Sequence, residues 1–276
     1  MESTEAIANR IELIVLTFQV GRKIGEEILE PTEMIQQLNL MDEEFRSMAF
    51  EGASMAVAVK SIEQQDNLRS WLTFLDANPT HSTQIMIGLG WAIGEKDLSP
   101  DSILEGLDSM TQGRAMDGFG YYMGLFRRRI SIRTQQIPKG ISDDLQLAFD
   151  QGIGRSLWYI SKGDLEMLER MMDSFPVYRQ KHMWRGIGVA CPVVGGCNAK
   201  HLGDLRQLSG EFKNQLETGC AMAAKSSVVS GVDNRVLDDA SELWLNRSKK
   251  EAARLTDIDS ESYSGWVETI SGAINS

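Results

Sequence analysis

Apolar residues along this chain recur with the spacing of α-helices rather than of β-strands. Between residues 4 and 30, apolar side chains form one broad stripe and polar residues fall on the opposite face, as in an amphipathic helix. Residues 165–172 repeat this spacing directly after Asp164, a residue type that favours a helix start. The period-two alternation that predicts strands is absent from the sequence. The pattern therefore predicts an all-α fold.

Pairs of glycines interrupt the apolar runs at a regular interval. Two glycines at positions i and i+2, as at 152–154, oppose both helix and strand propensity. The motifs lie 30 to 36 residues apart, and their first glycines, with weaker copies at both ends, are Gly21, Gly52, Gly88, Gly118, Gly152, Gly186 and Gly219. A period of about 34 residues is typical of a two-helix repeat. Stacked αα-hairpins of this kind would form a curved solenoid or a helical barrel-like domain.

The glycines have two interpretations in such an array. They let the first helices of neighbouring repeats pack closely, or they open a groove in which a ligand touches the backbone. No low-complexity linker divides the chain, which predicts one domain over residues 1–276. Within it we expect N-terminal helices at 1–45, core repeats at 46–222 and capping helices at 223–276, because a terminal repeat needs a polar outer face.

Charge and composition narrow the function classes. The net charge is -11, with acidic residues spread along the whole length, which argues against a nucleic-acid partner. No apolar run approaches the roughly 20 residues of a membrane span. The start of the chain lacks the positive charge of a signal peptide, and the three cysteines form no disulfide framework. We therefore expect a cytoplasmic protein.

Acidic residues stand next to several of the glycine motifs. Because equivalent positions of stacked repeats project onto one wall, we expect Glu51, Asp117 and Asp150 to converge on one cavity. There they would act as acid–base groups with raised pKa values, or bind Mg²⁺, the only cofactor that the pattern suggests. Arg155 and Arg185 would face an anionic substrate group such as a carboxylate or a diphosphate. The alternative is that these charges form salt bridges between repeats, with Asp150 and Arg185 as the obvious pair.

Aromatic side chains accompany these charges. They would form an apolar pocket that shapes a polyene chain, or steady a carbocation by cation–π contact. The alternative is that they fill the core at helical spacing. The residues that we expect to bind substrate are Trp91, Tyr121, Tyr122, Trp158 and Trp184, together with Arg155 and Arg185.

Five motifs, in their order along the chain, resemble those of a known family. They are Phe50–Ala56, Gly88–Ala92, Asp117–Tyr121, Phe149–Trp158 and Trp184–Cys191. They resemble a bacterial domain-of-unknown-function family whose genes accompany enediyne polyketide synthases and occur in other natural-product clusters. The resemblance implies a cytoplasmic protein of secondary metabolism that handles a long apolar polyene, polyketide or isoprenoid-type intermediate. It supplies no reaction and no catalytic residue.

These observations favour an enzyme but leave two other functions open. The enzyme would be a cyclase or isomerase, or a terpene-cyclase-like lyase, that uses carboxylate acid–base or Mg²⁺-assisted chemistry on such an intermediate. A carrier would hold the reactive polyene unchanged in an apolar cavity. A helical-repeat scaffold would bind other proteins and would expose its tryptophans as anchors.

One basic cluster stands out in this acidic chain. Residues 127–129 are three consecutive arginines, which would bind a phosphate or the acidic surface of an acyl carrier protein. The alternative is a solvated helix end, where cations interact favourably with the helix dipole. The sequence leaves open whether the chain forms a homo-oligomer.

Overall fold

A computed structural model gives the structure of the protein and describes residues 2–28, 30–139 and 141–275. These residues form helices and connecting segments, and no β-strand lies among them. The helices are α1 (Glu2–Glu27), α2 (Pro31–Asn39), α3 (Arg46–Gln64), α4 (Arg69–Asp76), α5 (Ser82–Glu95), α6 (Pro100–Leu104), α7 (Ser109–Phe126), α8 (Asp143–Ser161), α9 (Leu165–Asp173), α10 (Val177–Val194), α11 (Ala199–Leu208), α12 (Lys213–Ser230), α13 (Arg235–Leu245), α14 (Lys249–Arg254) and α15 (Tyr263–Ile274). The predicted all-α fold is confirmed.

Helix starts follow the local chemistry of the sequence. The Asp108 carboxylate accepts hydrogen bonds from first-turn amides of α7, and the Asn234 side chain does the same for α13. Ser248 and Glu251 form a capping box at the start of α14. Pro31 occupies the first turn of α2, where a missing N–H costs no helix hydrogen bond. No helix of the described residues is long and apolar enough to cross a bilayer.

The seven helices that carry the periodic glycines pack in chain order. Helix α1 packs on α3, α3 on α5, α5 on α7, α7 on α8, α8 on α10 and α10 on α12. A shorter helix lies between most neighbours in this row, but only a π-helical turn at Arg129–Arg133 and an irregular segment separate α7 from α8. Whether the row forms a solenoid or a barrel, and whether the chain divides as expected, stay predictions.

Close backbone contact explains the glycines. A methyl group added at Gly152 would overlap the carbonyl oxygen of Asp117 in α7, and one at Gly120 would overlap the carbonyl oxygen of Phe149 in α8. The same reciprocal arrangement recurs at each interface of the row except that between α3 and α5. At that interface Ser54 stands two residues after Gly52, where other motifs have a second glycine. It donates a hydrogen bond of 2.6 Å to the carbonyl of Ile85. Packing is therefore sufficient to account for the glycine period.

Contacts outside the row bring distant helices together. Gln84 at the start of α5 donates a hydrogen bond of 2.8 Å to Ser226 of α12, and the Arg10 guanidinium of α1 donates to the carbonyl of Val194 at the end of α10. Helix α15 packs against α7 and α8 as well as α12. The C-terminal helices thus contact the middle of the row as well as its last member.

Alanine at Gly186 tests the packing requirement. Its methyl group would overlap the Gln151 carbonyl, so we expect the free energy of unfolding to fall by about 1–3 kcal/mol despite the better helix propensity of alanine. Urea denaturation measures this change. The matched control is Gly203 in α11, where an added methyl group would meet nothing within 4 Å, and alanine there should raise stability by up to about 1 kcal/mol. Equal effects at both positions would contradict the packing account.

Candidate functional site

A cavity of about 380 Å³ lies among helices α1, α3, α5, α7 and α8. Most of its wall is apolar or aromatic. The apolar and aromatic lining residues are Ile14, Val15, Phe18, Met48, Met55, Trp91, Tyr121, Tyr122, Leu125, Phe126 and Tyr159, and the other lining residues are Gln19, Arg22, Glu51, Glu95 and Arg155. Five of the predicted site residues, Glu51, Trp91, Tyr121, Tyr122 and Arg155, therefore line one cavity.

Glu51 is the unpaired carboxyl group of this cavity. Its residue is 2 % exposed, and its Oε2 atom has no hydrogen-bond partner. Burial raises its pKa to about 7, and the nearby Asp117 adds to the rise while the positive charge of Arg155 opposes it. The Trp91 indole also opposes the rise, although its N–H makes no well-aligned hydrogen bond. Glu51 can therefore give or take a proton near neutral pH.

Arg155 and Asp117 form a buried ion pair behind Glu51. The Arg155 Nη1 atom lies 3.1 Å from Asp117 Oδ2, and Gln151 Nε2 donates to the same oxygen at 3.0 Å. Arg155 Nε has no partner, and its guanidinium lies 4.7 Å from the centre of the Tyr121 ring. The charges of Asp117 and Glu51 raise the pKa of Arg155 against the opposing effect of burial. Arg155 therefore stays charged and has hydrogen-bonding capacity left.

Aromatic rings surround the cavity at close range. The Trp91 ring lies 4.8 Å from Phe18 and 4.9 Å from Tyr121, measured between ring centres, and Tyr121 lies 5.2 Å from Tyr159. Burial raises the pKa of both Tyr121 and Tyr159, so both hydroxyls keep their protons. Both tyrosines can donate hydrogen bonds to an oxygen atom of a ligand.

The third predicted carboxylate, Asp150, lies elsewhere. It is fully buried, and its two oxygens share one bifurcated hydrogen bond from Arg179 Nε, at 2.9 and 3.1 Å, while Oδ1 accepts a second from Arg179 Nη2. Of the three carboxylates that were expected to converge on one cavity, only Glu51 lines it. Asp117 lies close enough to affect the pKa of Glu51 but does not line the cavity. Asp150 does form a salt bridge between two glycine-bearing helices, α8 and α10, but with Arg179 and not with Arg185.

The register of α8 explains this difference. Glu51 and Asp117 directly precede the first glycine of their motifs, whereas Asp150 stands two residues before Gly152. One residue is about 100° of rotation around a helix, so Asp150 faces away from the site. Gln151 is the equivalent residue, and its Nε2 atom bonds to Asp117. Gln151 was not among the predicted site residues, although its place directly before Gly152 matches that of Glu51 and Asp117 in their motifs.

Arg185 continues this row of residues that precede a glycine. Its Nε atom donates to Gln151 Oε1, and its Nη2 atom donates to the carbonyl of Leu147 at 2.9 Å. The Tyr263 hydroxyl accepts from Gln151 Nε2 at 3.2 Å. Arg185 does not line the main cavity; it borders a smaller one of about 180 Å³. The prediction that Arg185 contacts a substrate in the same cavity as Glu51 is therefore wrong.

A family model of a protein family of unknown function, DUF1702, matches residues 1–268. The chain belongs to this family. Comparisons with curated proteins and with solved structures each found no match. Membership in DUF1702 assigns neither a reaction nor a catalytic residue, and the predicted association with enediyne gene clusters stays a prediction.

Two predicted ligand-binding tryptophans fill the core outside the cavity. Trp158 is fully buried, with its ring centre 6.1 Å from that of His201. Trp184 is also buried and borders a separate surface pocket. Neither lines the cavity that contains Glu51. Their positions fit the alternative interpretation that these side chains fill the core.

The residues present do not fit the predicted Mg²⁺ site. Within the described parts of the chain, no three or more His, Cys, Asp or Glu side chains are grouped so that they could hold a metal ion. Two of the three carboxylates proposed as Mg²⁺ ligands are instead paired with arginines, Asp117 with Arg155 and Asp150 with Arg179. We therefore derive no step through a metal.

Helix α1 supplies a wall of the cavity, although none of its residues was a predicted site residue. Ile14, Val15 and Phe18 line the cavity, and Arg22 at its rim forms a salt bridge with Glu95, with a distance of 2.7 Å between Nη1 and Oε2. The broad apolar stripe of α1 predicts that this helix packs on the rest of the protein. It does not show which part of the stripe faces a cavity.

Substitution of Asp150 should lower stability. Replacement by asparagine leaves the buried Arg179 without a carboxylate, so we expect the free energy of unfolding to fall by about 3–5 kcal/mol. The double substitution D150L/R179M removes both charges and should recover much of that loss. Urea denaturation compares these variants with E166Q, which removes a charge from the exposed Glu166–Arg170 pair and should leave stability nearly unchanged. A D150N protein as stable as the wild type would contradict this role.

Proposed function

We propose that the cavity binds a largely apolar natural-product intermediate and that Glu51 transfers a proton to or from it, so that the protein isomerises or cyclises the bound molecule. The observation that carries this proposal is an unpaired, buried carboxyl group with a pKa near 7 in an aromatic cavity. Perturbed carboxyl groups in clefts are candidates for general acids and bases.

The cavity suits a small molecule with a long apolar part. Its volume of about 380 Å³ lies within the range of roughly 300–1,000 Å³ that is usual for ligand pockets. The lining is mostly aliphatic and aromatic, with polar groups restricted to a few positions. This composition favours the polyene, polyketide or isoprenoid-type molecule that the resemblance to the natural-product family implies.

The polar wall suggests the chemistry. Arg155 and the hydroxyls of Tyr121 and Tyr159 can bind a carbonyl or carboxylate oxygen of the ligand. The Glu51 carboxylate would remove a proton from a carbon conjugated with that carbonyl, and the resulting negative charge on oxygen would be stabilised by Arg155. Return of the same proton to a different carbon completes an isomerisation. Attack of the carbanion on a second carbonyl, which is then protonated by Glu51, closes a ring.

The position of Arg155 favours this carbanion route over a route through a carbocation. Its guanidinium already covers the face of the Tyr121 ring at 4.7 Å. A carbocation on the ligand could not use this face of Tyr121 and would be repelled by the positive charge of Arg155. The geometry favours chemistry in which negative charge develops on the ligand.

The two alternative functions differ in what they require. A carrier needs the apolar lining but no carboxyl group of raised pKa, so Glu51 favours an enzyme. A scaffold would expose tryptophans as anchors, whereas all six tryptophans of the chain are buried. We also infer that the two-helix repeats curve into a closed array around the cavity, which is supported by the contacts of α1 with α10 and of α12 with the start of α5.

Glutamine at position 51 tests the proposed reaction. In cells that make this protein, E51Q should cause an apolar compound to accumulate. The purified variant should convert that compound at least about 100-fold more slowly than the wild type, because glutamine cannot exchange the proton. Liquid chromatography with mass spectrometry measures both effects. The control is E217Q, which alters a buried glutamate outside the cavity, and it should behave as the wild type.

Two results of this experiment would contradict the proposal. One is conversion by E51Q at the wild-type rate. The other is a compound that co-purifies with the wild-type protein and remains unchanged by it in cells and in vitro, which would indicate a carrier.

A tryptophan at the cavity mouth tests ligand binding separately. Val15 lines the mouth and is 44 % exposed, so V15W should fill the entrance without disturbing the core. We expect the affinity for cis-parinaric acid, a conjugated fatty acid that fluoresces in apolar surroundings, to fall by at least about tenfold. The matched control is L40W, at an exposed leucine outside the cavity. Equal affinity in the two variants would place the ligand elsewhere.

A further inference from the structure

Exposed apolar side chains lie on α1 and at the end of α7, two helices that line the cavity. Six large apolar side chains there, which we call the mouth patch, are between 38 % and 61 % exposed: Leu13, Val15, Leu16 and Val20 of α1, Phe126 at the end of α7 and Ile130 after it. Val15 and Phe126 also line the cavity. The patch and the cavity therefore meet at these two residues.

The middle of α1 carries apolar residues on both its buried and its exposed side, with Glu12 and Gln19 as the exposed polar residues among them. Ile11 and Ile14 are buried in the core, while Leu13, Leu16 and Val20 point outward at helical spacing. A helix on the surface of a globular protein normally presents polar residues to water. Contiguous exposed apolar side chains usually mark a surface that another apolar phase covers.

A group of arginines borders the mouth patch. Arg127, Arg128 and Arg129 are exposed, as is Arg133 in the next turn. None of the four forms an ion pair with a described residue; only the Arg128 Nε atom is engaged, in a hydrogen bond of 3.2 Å to the Leu125 carbonyl. The charge of Arg127 acts on Tyr122, which lines the cavity, so the cluster adjoins the entrance. In a chain of net charge -11 this is a local positive surface.

We propose that the mouth patch and residues 127–133 dock the protein on an anionic lipid surface. Exposed aliphatic and aromatic side chains next to unpaired arginines are the features that insert a protein into the headgroup region of such a bilayer. The remaining surface, which is acidic, is repelled by anionic lipids, so the protein binds with the cavity mouth facing the membrane. This goes beyond the proposed function, on which it rests only for the apolar nature of the ligand.

Docking in this orientation gives an apolar ligand a path that avoids water. Val15 of α1 and Phe126 of α7 are exposed and also line the cavity, so the patch reaches the cavity at these two residues. A molecule dissolved in the acyl chains can therefore enter between α1 and α7. A second copy of the chain seated on the patch would instead close the entrance.

Vesicle binding tests the proposal. The purified full-length protein is sedimented with vesicles of phosphatidylcholine, with and without roughly one-third phosphatidylglycerol. We expect binding to the anionic vesicles only, weakened at least about tenfold by R127E/R129E, and by L16Q. The matched controls are R235E/R254E, with the same charge change on α13 and α14, and L40Q, at an exposed leucine outside the patch. Both should bind as the wild type.

Four results would overturn the proposal. One is no binding to anionic vesicles, and another is equal loss of binding in patch and control variants. The third is a dimer of the free wild-type protein in sedimentation equilibrium that L16Q dissociates. The fourth is binding of an acidic carrier protein without binding of vesicles. None of these results affects the E51Q experiment, because Glu51 lies inside the cavity and not in the patch. Failure here and failure of the proposed function are therefore distinguishable.

Discussion

The close approach of glycine-bearing helices is the constraint on which the rest of this structure depends. At most interfaces of the row, a glycine of one helix lies against a backbone carbonyl of the next, and the contact is returned one turn away. Contacts of this kind leave no room for a side chain and so fix both the distance and the rotation of each helix pair. The residue that precedes each first glycine is thereby held at an equivalent place. Glu51, Asp117, Gln151 and Arg185 all occupy this position, and the last three are joined by hydrogen bonds.

The electrostatics of the interior follow from how these positions are filled. Asp150 has its own arginine, and Asp117 shares its carboxylate between Arg155 and Gln151. Glu51 faces the apolar cavity and forms no salt bridge, because the nearby Arg155 pairs with Asp117 instead. Burial of a carboxyl group without a partner disfavours the charged form, which is why its pKa rises to about 7. The same arrangement leaves Arg155 charged and with hydrogen-bonding capacity beside the cavity. An acid–base group and a fixed positive charge therefore lie close together on a wall that is otherwise apolar.

Much of the fold could be predicted from local pattern, and less of the site. The glycine period located the seven helices of the row, because close packing leaves a direct trace in the sequence. The assignment of Asp150 to the site was a matter of register, since a shift of one residue turns a side chain by about 100° around the helix. The partner of Asp150 could not be predicted, because Arg179 stands two turns before Gly186 and only the packing of α10 on α8 brings it near. The part played by α1 in the cavity is likewise a product of three-dimensional packing, and nothing in its apolar stripe distinguishes Phe18 as a cavity residue.

The protonation of Glu51 is the central claim, and infrared spectroscopy tests it most directly. The difference spectrum between wild-type protein and E51Q isolates the carbonyl stretching band of the protonated Glu51 carboxyl group. We predict that this band persists through mildly acidic pH and disappears with a midpoint near pH 7. A band that disappears near pH 4, as expected for an ordinary solvated glutamate with a pKa of about 4.3, would contradict the account.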